Sequence, residues 1–584
     1  MSVAQSLLLA FIAGFAYFSR RFMGDLFLER AIVLGPLTGL ILGDLKTGLA
    51  VGASLELIFI GAADVGGSVP PNLPIGSVLG TAFAIKAGLK PSEALVIAVP
   101  AALIGAFGEL FAKAVSTTFL SAAERYAARG SARGVAGMLH LGNVVHGLCI
   151  AIPAFLGLQL GSNAVKNLAD AIDGPIQDGL SVAGAVLPAL GFALLLNTLA
   201  TPAMMPLFFI GFLLAAYTNF GVLGVAVLGF MLAALWINQH GGLKLVRAED
   251  RGDAGALVPA REQRRMFWRS FAVQSAFSFD RMQAIGFTWT LMPYLRRLYP
   301  QREAFAAALQ RHLTFFNTHP WIPGPIIALV SDLETRHAQQ IGSVPAPAPA
   351  GAGGGTPSAS AVAEQAGGGL GTALAESPAP QAAVADLPET PADGRNGGAP
   401  EDDASVQTIQ GVKGSLMGPL AGVGDSAFHG TLRPIFSGIG ASLGLHGNYI
   451  APLAFLLPVN AVHLIVRWTT QRAGFRLGSR LFERIDHSAL KRLMEGASIT
   501  GLMGVGALVG TWLTITVPLT YTEGKAEVKV QEMLDSIMPK LVPLLVTLGV
   551  FWAIRRGVNA VIVLLSLAVA GFGLGALGVL GAGS

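Results

Sequence analysis

Four ionisable residues stand where the sequence is otherwise apolar: Asp44 and Lys46, then Glu56, then Asp64. A charge placed in hydrocarbon is expensive, so such a group marks either a function or a buried partner. Glu56 lies in Val51-Gly-Ala-Ser-Leu-Glu-Leu-Ile-Phe-Ile-Gly61, where an unpaired carboxylate would be costly. Asp64 opens Asp-Val-Gly-Gly-Ser-Val-Pro-Pro-Asn-Leu-Pro74, whose two glycines and three prolines exclude a regular helix. Irregular backbone at membrane depth survives only where protein buries it or where it lines a cavity. Carboxylates, amides and freed backbone groups in such a cavity suit a ligand rich in hydroxyls, as a sugar is. Glu56, Asp64 and Asn72 are therefore the substrate-binding candidates. For Glu56 the competing reading is a carboxylate that satisfies the N–H groups of a neighbouring loop. Asp44 and Lys46 read as a structural pair or as residues at the water interface.

No catalytic pattern accompanies them. Walker A, zinc-protease and nucleophile-elbow motifs are missing from the sequence. Gly573-Leu-Gly-Ala-Leu-Gly578 matches the dinucleotide pattern formally, but it sits in an apolar tail without a strand before it. Small residues packing between membrane helices account for it better. Cys149 is the only cysteine, so it forms no intramolecular disulfide, and no Cys/His spacing suits a metal. The expectation is no catalytic residue, no metal and no cofactor.

The elements that must position the candidates are membrane helices. Hydrophobic residues make up 52% of the 584 positions and charged residues 13%, with a mean hydropathy of +0.59. Soluble domains carry about a quarter charged residues, so this chain cannot cover itself in water. Apolar stretches at 5–19, 93–108, 179–196, 203–237, 448–466, 499–518, 539–554 and 558–582 approach or reach the ~20 residues a helix needs to span a bilayer. The first lacks a basic leader and reads as a retained helix. The net charge of +4 does not indicate nucleic acid. Arg20 and Arg21, Arg296 and Arg297, Arg467 to Arg484, and Arg555 and Arg556 cluster at the ends of apolar runs, as cytoplasmic flanks do. The predicted fold class is an all-α polytopic membrane protein of two halves with broken or re-entrant segments.

Composition divides the chain further. Residues 1–243 are almost continuously apolar, and 244–261 form a charged cytoplasmic junction. Residues 262–340 are amphipathic, with Phe305, Leu309, Leu313 and Phe316 at helical spacing. Residues 341–409 are rich in Ala, Pro and Gly and are expected to be disordered. Residues 410–584 return to membrane character.

Particular motifs resemble the mannose family of phosphotransferase-system (PTS) sugar permeases. Arg281-Met-Gln-Ala-Ile-Gly-Phe287, Arg311-His-Leu-Thr-Phe-Phe-Asn-Thr-His-Pro320 and Gly418-Pro-Leu-Ala-Gly-Val-Gly-Asp-Ser426 resemble the IID component. Gly43-Asp-Leu-Lys-Thr-Gly48, Gly52-Ala-Ser-Leu-Glu56 and Gly66-Gly-Ser-Val-Pro-Pro-Asn72 resemble IIC. The resemblance implies a fused IIC–IID translocation unit in the bacterial cytoplasmic membrane, with a hexose or amino sugar as substrate. Phosphorylated IIB and IIA proteins would be its partners, and it would carry no phosphoryl-carrier residue of its own. It also implies a homo-oligomer, a trimer being the frequent form in the family. It places Gln283, Asn317 and Asp425 at the interface of the halves or along the substrate path; for Asp425 a helix N-cap is the equal alternative. His312, His319 and His429 read as hydrogen-bonded structural residues, since no partner carboxylate is identifiable from sequence. Ser278-Phe-Asp-Arg-Met-Gln283, Asp64 and His429 depart from the usual family residues, which bears on the identity of the sugar. The rival functions are a proton-coupled secondary sugar transporter using Glu56 or Asp64, and a PTS sensor or scaffold that moves nothing.

Overall fold

The computed structural model describes residues 1–61, 71–171, 175–218, 220–240, 258–344, 404–477, 487–523 and 526–582. Asp64, most of the charged junction and most of the Ala/Pro/Gly-rich segment lie outside these residues. The first half supplies α1 (Val3–Phe22), α2 (Ala31–Leu42), α3 (Leu45–Ile58), α4 (Leu73–Ala87), α5 (Pro91–Ala128) and α6 (Ala132–Ala171). It continues with α7 (Pro175–Val186), α8 (Pro188–Leu199), α9 (Met205–Tyr217) and α10 (Val222–Gln239). The second half begins with the amphipathic helices α11 (Ala260–Ser270), α12 (Ala284–Leu298), α13 (Arg302–His312) and α14 (Gly324–Gln340). Then come α15 (Ala404–Gly424), a π-helical stretch Asp425–Leu432, α16 (Arg433–Leu445), α17 (Ala451–Leu477) and α18 (His487–Trp512). The chain closes with α19 (Val530–Ile537), α20 (Leu541–Arg555) and α21 (Ala560–Ala576). Among the described residues, strands are confined to two short antiparallel pairs near the C-terminus. The protein is an all-α polytopic membrane protein.

Five of the described helices are long and apolar enough to span a bilayer, or six if the pair α19–α20, bent by 74°, is one broken span. The apolar stretch 203–237 is divided between α9 and α10, because Thr218 leaves the helical conformation. Helix ends follow local chemistry. The Asp44 side chain accepts from Thr47 N–H at 3.0 Å and caps α3, so its role is that of a cap. Gly43 ends α2 in the left-handed conformation that costs glycine nothing. Residues 404–409, placed in the insert by composition, form the first turns of α15. Ser405 Oγ lies 2.7 Å from His337 Nδ1, which ties those turns to α14.

The halves are interleaved. Helix α21 packs on α7, α20 on α8, α18 on both α9 and α10, and α16 on α3. Accordingly the largest hydrophobic core contains Leu55, Phe192 and Phe212 from the first half together with Trp321, Phe455 and Leu508 from the second. A second core joins Leu120 and Leu139 of α5 and α6 to Phe287, Leu309 and Phe316. The aromatic stripe predicted over 305–316 is thus a packing face: Phe305 and Leu309 on α13, and Leu313 and Phe316 just after it, are all buried. Close backbone approach depends on glycine between α2 and α3, where a Cβ on Gly35 would meet Gly52 Cα at 2.5 Å. Ile104, Phe107 and Phe111 of α5 and Ile152, Leu156 and Leu160 of α6 face outward and are exposed.

The amphipathic part is organised by one buried carboxylate. Glu334 receives Arg311 Nε at 2.8 Å and Nη2 at 3.0 Å, and the Tyr299 hydroxyl at 2.5 Å. His312 Nε2 lies 2.9 Å away, so Glu334 is the partner carboxylate that sequence could not supply for this histidine. Burial opposes its ionisation, but the His312 hydrogen bond and the Arg311 charge prevail and hold it below the usual carboxylate range. Because the folded value is depressed, its stabilisation is present above the ordinary carboxylate range and is lost as pH falls through the folded value. Glu334→Gln is expected to cost about 3–5 kcal/mol by removing the buried charge that Arg311 and His312 share. Thermal unfolding from neutral to acid pH checks this: the wild type should lose more stability in acid than the variant.

Candidate functional site

Glu56 is completely buried on α3. Its Oε1 accepts from Arg30 Nε at 2.9 Å, from Arg30 Nη2 at 2.5 Å and from Ser437 Oγ at 2.6 Å. Its Oε2 accepts from Ile32 N–H at 3.3 Å. Both halves therefore meet on this carboxylate. The same region holds the C-terminal end of α3: Arg30 donates to Phe59 O at 3.1 Å, and Arg433, from the second half, donates to Ile60 O at 2.9 Å. Carbonyls at a helix C-terminus carry partial negative charge and attract cations. Two guanidiniums thus fix the point where the helix stops, immediately before the Gly/Pro-rich segment. Asn72 resumes the chain beyond it and caps α4 through Oδ1, which accepts from Ile75 N–H at 3.1 Å. Its Nδ2 is buried without a hydrogen-bond partner among the described residues.

Two of the second-half motifs form one clamp. Gln283 Nε2 donates to Thr318 O at 2.8 Å, and its Oε1 accepts from Thr318 N–H at 3.2 Å. Gln283 N–H also donates to Phe316 O at 2.8 Å. A buried primary amide reads as a strand would here, holding the segment 316–318 in place. Arg281 Nη1 adds a bond to Leu313 O at 3.0 Å. From the other side the Lys413 ammonium donates to Thr314 Oγ1 at 2.8 Å. The clamp presents Asn317, Thr318 and His319 to a polar cavity.

That cavity lies where the halves meet. Arg20, Arg21 and Lys113 line it from the first half; Gln274, Asn317, His319, Asp425 and His429 are among those lining it from the second. Its volume is ≈ 30 Å³, room for about two waters. The π-helical stretch Asp425–Leu432 carries both Asp425 and His429; such wide turns often mark functional positions in helices. Asp425 is part of the continuous run from α15 into the π-helix, so it is not an N-cap.

His429 Nε2 lies 3.0 Å from Asp25 Oδ2. Asp25 adopts a left-handed backbone conformation, φ 65°, in the turn between α1 and α2, with Arg20 Nε 3.6 Å from its Oδ1. Aspartate tolerates that conformation better than most residues. An ionised Asp25 only accepts, so His429 donates from Nε2, and in the neutral ring Nδ1 is then a lone-pair acceptor; Nδ1 is buried with no partner among the described residues. His319 has the opposite tautomer. Its Nδ1 accepts from Trp321 N–H at 3.2 Å, so the proton of the neutral ring is on Nε2, 3.9 Å from Asp425 Oδ1. An aromatic wall of Phe27, Trp321, Phe428 and His463 packs around these rings.

His319, Asp425 and His429 bring one ligand atom each within 4.8 Å of one another, a spacing compatible with a cation. The tautomers favour another use. A ligating histidine donates its second N–H outward, as His429 does to Asp25, but the Nδ1 lone pair of His319 is already committed to Trp321. Donor and acceptors around a small polar space instead match a hydroxyl.

Among the sequence candidates, Gln283, Asn317 and Asp425 come together at this cavity. Glu56 and Asn72 do not line it, and Asp64 lies outside the described residues. Reading Arg20, Arg21 and Arg467 as cytoplasmic flanks is corrected: all three are buried. Arg21 pairs with Glu109 at 3.0 Å, and Arg467 bonds Ser270 Oγ at 2.8 Å and also the Pro320 carbonyl. Asp25, Lys113 and Glu109 were missed, and the only sequence signal was their position inside or beside apolar runs.

Apolar spans from two interleaved halves, closed on a buried chamber of charges and amides, define a membrane transport component. The profile described as "PTS system sorbose-specific iic component" matches residues 3–235. That described as "PTS system mannose/fructose/sorbose family IID component" matches residues 258–347 and 395–580. The chain belongs to the mannose/fructose/sorbose family of PTS permeases and carries its IIC and IID membrane components in one polypeptide. It is 33% identical over 312 residues to the Fructose permease IID component of Bacillus subtilis, covering 52% of this chain and 91% of that one. It is 34% identical over 208 residues to the Fructose permease IIC component of the same organism, covering 36% of this chain and 77% of that one. The PTS system mannose-specific EIID component of Escherichia coli K12 is 34% identical over 325 residues, covering 54% of this chain and 93% of that one. The chain is thus a multi-pass membrane translocation subunit of a PTS, located in the bacterial inner membrane.

Proposed function

We propose that this chain binds a hexose or amino sugar at the seam of its two halves and moves it inward as separate IIA and IIB proteins phosphorylate it. The observation that carries the reading is the polar cavity lined from both halves, with Asn317, His319, Asp425 and His429 around it. Asn72, with its unpartnered Nδ2, and Asp64 are the first-half residues that would contact the sugar. Glu56 acts as a positioning residue, through Arg30 and the end of α3. Gln283 positions Asn317 by fixing the residues on either side of it. The chain works as a homo-oligomer, a trimer being the arrangement the family resemblance implies.

The test is uptake of a labelled hexose and amino-sugar panel into vesicles carrying the chain, with and without phosphorylated IIB. Sugar phosphate inside, formed only with the donor, is the expected result and names the substrate. Uptake without the donor would establish a secondary transporter instead. No uptake in either arm would leave a sensor.

A further inference from the structure

The two histidines at the seam have complementary open nitrogens. In its neutral form His429 offers a bare Nδ1, because Asp25 holds its proton on Nε2; His319 offers an Nε2–H, because Trp321 N–H occupies its Nδ1. Neither open nitrogen has a hydrogen-bond partner among the described residues, and both residues are at least nine-tenths buried. Their rings approach edge to face with centroids 4.7 Å apart. Both line the cavity, with Asp425 as a further acceptor. Leaving buried donors and acceptors unmade is costly, so the pair calls for a ligand group that can donate to one and accept from the other. A hydroxyl does both, and one oxygen reaching about 2.8 Å to each side spans such a set.

We propose that His429, held in its tautomer by Asp25, is a specificity-determining residue that accepts a hydrogen bond from one hydroxyl of the sugar, while His319 donates to the same oxygen. The inference rests on the seam being the sugar site. It assigns to the pair the recognition of one ring position, because a site built to bond a hydroxyl rejects the analogue that lacks it far more strongly than an apolar pocket can. Asp25 is a positioning residue in this scheme: it touches His429, not the sugar.

The purified full-length chain in nanodiscs is titrated by calorimetry with mannose, fructose and sorbose, and with the monodeoxy analogues of the parent sugar that binds. The wild type should bind one monodeoxy analogue at least about tenfold more weakly than the parent, a difference of about 1.4 kcal/mol. In His429→Phe, which keeps a ring but removes both nitrogens, the parent should fall to the level of that analogue and the ratio should approach one. His429→Gln, which restores an acceptor, serves if the phenylalanine variant does not fold, and should recover part of the discrimination. Asp25→Asn should weaken the parent and leave the deoxy analogue unchanged. If the wild type binds none of the sugars, the seam site itself fails along with this inference. If it binds sugar but both His429 variants keep the wild-type ratio, this inference alone is overturned. Zn²⁺ titrated alone is the control: Zn²⁺ binding abolished by His429→Phe, with sugar discrimination intact, would overturn it in favour of a cation site.

Discussion

Glu56→Gln is expected to destabilise the folded chain by about 3–5 kcal/mol, the cost of leaving one member of a buried ion pair uncompensated. The glutamine keeps the shape of the side chain but cannot balance Arg30, which is itself fully buried. It also loses the charged acceptor for Ser437 on α16. Thermal unfolding in detergent reads the loss directly. Sugar titration of the fraction that remains folded separates two roles. If Glu56 acts only through Arg30 and α3, affinity falls by a modest factor and discrimination among deoxy sugars is kept. If it contacts sugar, binding disappears while the fold is retained. Arg30→Met should be tolerated no better, because it strands Glu56 in turn. The double variant Arg30→Met with Glu56→Met removes both charges and should recover much of the stability. Recovery below either single variant would show that more than this pair is at stake.

Gly424→Ala should leave the helices intact and disable the seam. A Cβ at this position would lie 2.2 Å from Cγ of His319, a distance no side chain accommodates without moving the ring. Overpacking of this kind costs about 1–3 kcal/mol, part of which alanine's better helix propensity offsets. The displaced ring cannot keep its bond from Trp321 N–H or its place beside Asp425. Circular dichroism should therefore be near wild type, while sugar affinity drops by about tenfold or more. A variant with unaltered affinity would mean that His319 is a packing residue only. Gly418 is the comparison position, since a Cβ there meets nothing within 4 Å. Gly418→Ala should bind as the wild type does.

The sequence shows membrane character and the family without ambiguity, because composition and motifs are local properties. It shows the candidate site only in part. Gln283, Asn317 and Asp425 belong to separate motifs, and the structure joins them through the amide pair between Gln283 and Thr318. Asn72 is not brought to the seam cavity: it caps α4, whose first turn holds Pro74. Arg20 and Arg21 mislead in another way. At the end of an apolar helix they look like a flank, and their burial depends on carboxylates brought by other elements, as Glu109 of α5 is. His429 is opaque in the same way, since Asp25 stands at the other end of the chain. Partnership across hundreds of positions leaves no periodic trace. A turn in the left-handed conformation, as at Gly24 and Asp25, gives only a glycine as its signature.

The interleaving of the halves has a consequence for how the protein is made. Helices α7 to α10 emerge from the ribosome long before α18, α20 and α21, the helices that cover them. Until then their contact faces meet lipid or the insertion machinery, and late, non-local contacts are slow and open to misassembly. Joining the components on one chain places the missing helices at high local concentration from the moment they are synthesised. It also fixes their ratio at one to one, which two separate genes must achieve by matched expression. Fusion thus shortens the most vulnerable interval in the life of the complex. A protease cut introduced at the junction after folding should leave two fragments that still purify together, whereas the same two fragments expressed separately should assemble slowly and in lower yield.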